Sequence, residues 1–252
     1  MRSSSASPVL ADRRMGPIIS ISANQSATWS GYNQGLLEKA SAIGEIGFQS
    51  VSADWVVPDV TAHTSGQEEF SSAWVGIGGG CIDKDCVLGD VTLIQAGTEH
   101  DVDSSGKAHY STWWEIAPPV PSFETSVAVA AGDSIHVEIA QLLPEIWTIT
   151  ILNKTQGGSF TITVPYASDF TTAEWIVETP LVFGTSGAGF ASLPNLSTVR
   201  FSNAKVNGHD ADLASSEAQQ MVDSAGNPIA TPSDPTAGGT AFDVCTYASS
   251  CP

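Results

Sequence analysis

The sequence predicts an all-β protein, a two-sheet antiparallel sandwich in one domain. Short runs of alternating apolar and polar residues recur along nearly the whole chain, turn residues punctuate them, and helical periodicity is almost absent. The alternating runs are 48–57, 72–77, 91–99, 109–116, 134–140, 147–152, 159–164, 173–178, 198–204 and 241–247. Between them lie Pro58-Asp59, Gly78-Gly79-Gly80, Ser104-Ser105-Gly106, Gln156-Gly157-Gly158, Gly226-Asn227-Pro228 and Gly238-Gly239, which favour turns. A large sandwich needs more strands than these runs supply, so others are expected. Leu36 to Ile46 and Asp212 to Met221 each have room for a helical turn.

A chain of 252 residues suits one large β domain, and no linker or compositional break interrupts it after residue 24. Residues 1–24 hold three of the nine basic side chains, Arg2, Arg13 and Arg14, and many serines. They lack the apolar stretch of a signal peptide. We expect 1–24 to be a mobile extension and 25–252 a single sandwich domain. An exported protein would need a signal that this sequence does not contain. No run of 18 apolar residues exists, so no membrane partner is expected.

The formal charge of −18 comes from 27 acidic residues against 9 Lys and Arg. With so few cations, acid cannot turn the chain into a self-repelling polycation. The charge therefore fits two readings, a protein that works in an acidic extracellular environment and an ordinary acidic secreted protein. Nucleic acid is disfavoured, because no basic stripe is available for phosphates. The four cysteines allow three pairings, and proximity favours Cys81 with Cys86 and Cys245 with Cys251. Their spacing does not suit a zinc site, and disulfides point to an oxidising compartment.

Leu93-Ile94-Gln95-Ala96-Gly97-Thr98-Glu99 puts Gln95, Gly97 and Glu99 on one strand face, and Ala173-Glu174-Trp175-Ile176-Val177-Glu178 does the same for Glu174, Ile176 and Glu178. An amide and a carboxylate on one sheet face can bind a water and polarise a carbonyl. Together with Ser72-Ala73-Trp74-Val75-Gly76-Ile77 and Trp113-Trp114-Glu115, these runs resemble the glutamic peptidase (eqolisin) family over residues 28–246. The resemblance implies a concanavalin-like sandwich and an acid-acting, secreted endopeptidase that takes protein or peptide substrates. It implies a Gln/Glu dyad, with no metal or cofactor, and we expect a monomer.

In that resemblance Gln95 matches the catalytic glutamine and Glu178 the catalytic glutamate. Trp74 matches the groove tryptophan, Trp29 the N-terminal one, and Glu115 the glutamate of the Trp-Tyr-Glu segment. Glu174 shares a face with Glu178, so like-charge repulsion is expected to raise the Glu178 pKa. Glu99 stands where the fungal members carry Asp, Gly78 also replaces an Asp, and Ala117 replaces a Tyr. These departures alter the dyad's surroundings and suggest a branch distant from the fungal enzymes. Read without the resemblance, Gln95 is an ordinary strand glutamine and Glu178 a surface charge. Trp55 and Trp147 read as core residues. Two rivals share the fold: a retaining glycosidase using two of Glu115, Glu174 and Glu178, and a sugar-binding sandwich. Only the peptidase needs Gln95 opposite Glu178.

Overall fold

The computed structural model describes residues 12–43, 47–118, 122–184, 187–236 and 238–252. Its longer strands begin with β1 (Trp29–Gly35), β2 (Ser50–Val56), β3 (Ser72–Gly78), β4 (Leu93–Val102) and β5 (Ala108–Ala117). The chain continues through β6 (Ser134–Leu143), β7 (Ile146–Asn153), β8 (Ser159–Pro165) and β9 (Thr172–Glu178). It ends with β10 (Val199–Val206), β11 (Ala218–Val222), β12 (Pro228–Pro232) and β13 (Phe242–Thr246); α1 spans Leu36–Ile43.

These strands form two antiparallel sheets. The first runs β5–β4–β3–β9–β1–β11. The second runs β8–β7–β6–β2–β10–β13–β12–β11. β11 belongs to both, pairing Ala218 with Tyr32 of β1 and Met221 with Ala230 of β12, so it joins the sheets along one side.

Inward-facing Val75, Ile77, Ile94, Ala96, Trp175 and Val177 of the first sheet meet Val51, Ala53, Trp55, Val137, Ile149 and Ile151 of the second. In β7 burial alternates residue by residue, leaving one face toward solvent. β1, β3, β4 and β9 are instead buried at every position. The centre of the first sheet is thus covered on its outer face as well. That outer face carries polar residues at alternate positions, an expensive arrangement unless they have a use.

Each alternating run of the sequence lies on a strand, with ends shifted by a few residues. β1 escaped the pattern because both its faces are buried and both carry polar residues: Asn33 on the outer face with Trp29, and Ser30 and Gln34 on the inner face with Tyr32. The helical turn expected within Asp212 to Met221 is a 3₁₀ turn at Ser215–Glu217, after which the chain enters β11. Pairing with β1 and β12 overrides the helical preference of the Ala-Gln-Gln-Met run. The other expected helix is α1, and residues 44–46 lie outside the described residues. Both local disulfides, Cys81–Cys86 and Cys245–Cys251, are formed. Of the N-terminal stretch, residues 1–11 lie outside the described residues, while Asp12–Arg14 and Ser20–Ser22 are paired strands of the folded domain. No described helix is long and apolar enough to cross a membrane.

Candidate active site

Strand register assembles the outer face of the first sheet rung by rung. One rung reads Glu115–Gln95–Gly76–Glu174–Asn33. The next reads Trp113–Gly97–Trp74–Ile176–Gly31, and the third Ser111–Glu99–Ser72–Glu178–Trp29. Every site residue named from the sequence (Gln95, Glu178, Trp29, Trp74, Glu99, Glu115 and Glu174) therefore sits on one face. The pairing differs from expectation in one respect. Gln95 shares its rung with Glu174 and Glu115, and Glu178 shares its rung with Glu99, two rungs away. Trp74 spans that diagonal: its Cζ3 would lie 2.8 Å from a Cβ at Gly76, and its Nε1 donates to Glu178 Oε2 at 2.8 Å.

Glu178 is only 2 % exposed. Burial pushes its carboxyl well above the usual range, and the charge of Glu115 pushes the same way. Donors oppose this: the Trp74 indole, the Gly16 N–H and, more weakly, the Trp29 indole, which faces the carboxylate outside strict hydrogen-bond geometry. The two indoles meet edge to face, ring centres 4.9 Å apart. The like charge acting on Glu178 is thus Glu115 rather than the expected Glu174.

Gln95 is fully buried, and neither its amide nitrogen nor its oxygen has a hydrogen-bond partner within the protein. Leaving both unpaired costs about 1–3 kcal/mol per group, so the amide is kept for something other than folding. Glu174 is equally buried without a partner in strict geometry, and burial, then Asp90, raises its pKa well above normal. Glu99 differs, accepting from Ser111 Oγ at 2.6 Å. Glu115 is 2 % exposed and lies directly across from Gln95.

The glycine run closes this end of the face. Gly78 has φ +89°, and a Cβ there would meet Thr92 O at 1.9 Å. At Gly80 a Cβ would fall 1.6 Å from Asn33 Oδ1 and 2.6 Å from Glu174 Oε1. Asn33 ties the loop down, donating to Cys81 O and accepting from Cys81 N–H, both at 2.9 Å. At Gly80 the absence of a side chain thus lets the loop backbone approach Glu174. Among the described residues no group of three or more His, Cys, Asp or Glu side chains is arranged to hold a metal ion.

A buried, unpartnered glutamine and a buried glutamate on one sandwich face can be compared with known proteins. The sequence model of the Peptidase A4 family matches residues 27–244. The chain belongs to that family, the glutamic peptidases. It is a hydrolase of peptide bonds, a glutamic endopeptidase, and the glycosidase and sugar-binding readings fall away. Scytalido-glutamic peptidase, solved with a peptide-based transition state analog, superposes with TM-score 0.65 and 23 % identity, over 87 % of this chain and 98 % of that one. SCP-B, an eqolisin in complex with the tripeptide Ala-Ile-His, gives TM-score 0.60 and 22 % identity over 87 % and 98 %. Aspergilloglutamic peptidase from Aspergillus niger gives 0.53 and 26 % over 71 % and 99 %. The first two show the shared fold. No curated protein sequence matches the chain.

Sequence reasoning passed over Asn33, Ser72, Trp113 and the Met15–Gly16 pair. Trp113 was within reach, since it alternates in phase with Glu115. Asn33 and Ser72 were not, because only strand register reveals their rungs. Nothing in the sequence marks Met15.

Proposed function

We propose that the protein is a secreted, acid-active endopeptidase that hydrolyses peptide bonds with a water activated by Gln95 and Glu178. The observation that carries this reading is the buried Gln95 amide, with donor and acceptor both unused, on the same outer face as Glu178. Ionised Glu178 takes a proton from the water, whose oxygen attacks the scissile carbonyl carbon. Gln95 Oε1 holds the water, and its Nε2–H donates to the oxyanion that forms. Collapse of the tetrahedral intermediate breaks the C–N bond as the proton passes to the leaving nitrogen.

The carboxyls around Glu178 support an acid optimum. Burial and then the Glu115 charge raise the Glu178 pKa, so the proton taken from the water is held there until it passes to the leaving nitrogen. As pH rises through the raised pKa of Glu178 that proton is lost, and the leaving group loses its donor. Two disulfides and the scarcity of lysine and arginine support secretion into an acidic medium.

The test is digestion of a denatured protein at about pH 2–5, below and around carboxylate pKa values, with pepstatin present to silence aspartic peptidases. Hydrolysis that Glu178→Gln abolishes without unfolding the chain supports the reading. A folded Glu178→Gln variant with parental turnover overturns it.

A further inference from the structure

A cavity of about 570 Å³ opens at one end of the sandwich. Gln34, which lines it, alternates with Asn33 along β1 and so belongs to the inner face of the first sheet, not to the face that carries Gln95 and Glu178. The start of β2 and the ends of β6 and β10 contribute Ser50, Gln141 and Val206 from the second sheet. Gln34, Val206 and Ala211 are buried, whereas Asp210 and Asp212 are exposed. The cavity therefore runs inward from a mouth that carries two carboxylates. Its size suits a small molecule or one long side chain.

A network of buried hydrogen bonds fixes the inner end. Glu217, 3 % exposed, accepts from Lys39 Nζ at 2.8 Å, from the Ala214 N–H at 2.9 Å and from Gln34 Nε2 at 3.1 Å. Gln34 Nε2 also donates to Ala211 O at 2.7 Å. Both donors of that amide are spent on acceptors, so the group cannot be turned over and its Oε1 is held as an acceptor. The oxygen is buried without a partner, a costly state for an amide that serves folding alone. Lys39, neutralised by Glu217, makes its second bond to Asp212 O at 2.7 Å and so fastens the mouth, where Asp212 stands at φ +50°.

The groups left for a ligand are acceptors: Gln34 Oε1 and the carboxylates of Asp210 and Asp212, which form no ion pair among the described residues. With Lys39 and Glu217 cancelling and His209 neutral, the charge that remains is that of the two aspartates. Such a set calls for a cation with several N–H donors. A metal ion does not suit it, since among the described residues no three His, Cys, Asp or Glu side chains are grouped to hold one. A guanidinium suits it better than an ammonium, being planar, more weakly hydrated and furnished with five N–H donors. We infer that this cavity binds a guanidinium group, carried by an arginine side chain or by a free guanidine compound. Gln34 Oε1 is its inner acceptor, and Asp210 and Asp212 are its counter-ions.

The experiment is calorimetric titration of the full chain at about pH 7, well above the usual carboxylate range. The probes are agmatine, a free guanidinium, and acetyl-Gly-Arg-Gly-amide, a peptide-borne one. The same tripeptide with citrulline in place of arginine keeps the shape and loses the charge, and is expected to bind at least about tenfold more weakly. Asp210→Asn combined with Asp212→Asn should weaken either probe about tenfold. Gln34→Met removes the inner acceptor and should weaken binding about ten- to hundredfold. Circular dichroism checks that each variant is folded, and the exposed aspartate pair decides the matter if Gln34→Met is not. The chain carries a charge of −18 and attracts any cation, so Glu124→Gln with Glu138→Gln, two exposed carboxylates elsewhere, is the control and should change nothing. A peptide that binds more tightly than agmatine identifies arginine within a polypeptide as the source; the reverse order identifies a free guanidine compound, and equal affinity means that the guanidinium alone is read. Binding of neither probe, equal binding of the citrulline peptide, or an equal loss in the control pair overturns the inference.

Discussion

The Trp74 indole donates to Glu178 Oε2 at 2.8 Å while its ring lies on Gly76, the residue directly across from Gln95. One side chain thus governs both halves of the proposed dyad. It stabilises the charged form of the carboxyl and shapes the floor beside the amide. Gly97, on the Trp74 rung, cannot carry a side chain, because a Cβ there would lie 2.6 Å from Trp74 Cβ and 2.1 Å from Ala73 O.

Replacing Trp74 with Phe keeps a ring and removes the donor. A hydrogen bond to a charged group is worth about 1.5–3 kcal/mol, so kcat is expected to fall about ten- to hundredfold. The bond lowers the Glu178 pKa, so its loss raises that pKa and moves the acid limb of the pH–rate profile, where the base must ionise, toward neutrality. A Trp74→Phe profile superimposable on the parent's would remove Trp74 from the mechanism.

Gln95→Ala removes the oxyanion donor and the water's acceptor together, and kcat is expected to fall about 10²–10³-fold. Since both amide atoms are unpartnered in the folded chain, the same change should leave thermal stability unchanged or raise it. Loss of activity with retained stability separates a reaction role from a structural one. Glu115→Gln should act differently, lowering the Glu178 pKa by removing the charge that raises it.

How far the sequence revealed this site follows from which faces are periodic. Gln95, Glu174 and Glu178 were legible because β4 and β9 alternate between a core face and a polar one. Their family-like runs then supplied the roles. The two-rung offset between Gln95 and Glu178 was not legible, since register depends on how β3 slides between its neighbours. β1 was hidden for a related reason: with both faces covered, its polar residues carry no exposure signal. The burial of Met15 was hidden because Met15-Gly16-Pro17 has no period at all, and that burial arises only from the cluster of Trp29, Trp74 and Trp113 that distant strands bring together.

Glu174 gives a test of burial on stability. Its pKa is raised well above 4.5 in the folded chain, so the native state holds a proton that the unfolded chain releases. That contribution is fully present below the unfolded pKa and is lost as pH rises toward the folded one, at about 1.4 kcal/mol per pH unit. Glu174→Gln is neutral throughout. It should therefore gain on the parent as pH rises above 4.5, until the folded-state pKa is passed, measured as urea midpoints. Parallel pH curves for parent and variant would show that Glu174 is ionised in the native state.

The whole chain should consequently be most stable in mild acid. Between about pH 6.5 and 4.5, Glu174 and Glu178 both favour the folded state more as protons are added. His100 opposes them. It is fully buried, with Thr98 Oγ1 at 2.8 Å from its Nε2, and burial depresses its pKa to about 3. Below 6.5 the unfolded chain takes up a proton there that the native state refuses, a loss of about 1.4 kcal/mol per pH unit. Two groups against one leave a net gain toward acid until about pH 4.5, where both carboxyls are protonated in either state. Below that His100 alone continues, and Asp54, whose pKa is lowered despite burial by bonds to Lys154, Asn203 and His136, joins it below 3.8. Stability should peak near pH 4–5, about where the unfolded carboxyls titrate. His100→Gln should soften the fall on the acid side while leaving the neutral side steeper than in the parent. Urea midpoints from pH 3 to 8 test both, and a peak at neutrality would mean that Glu174 and Glu178 do not hold protons in the folded chain.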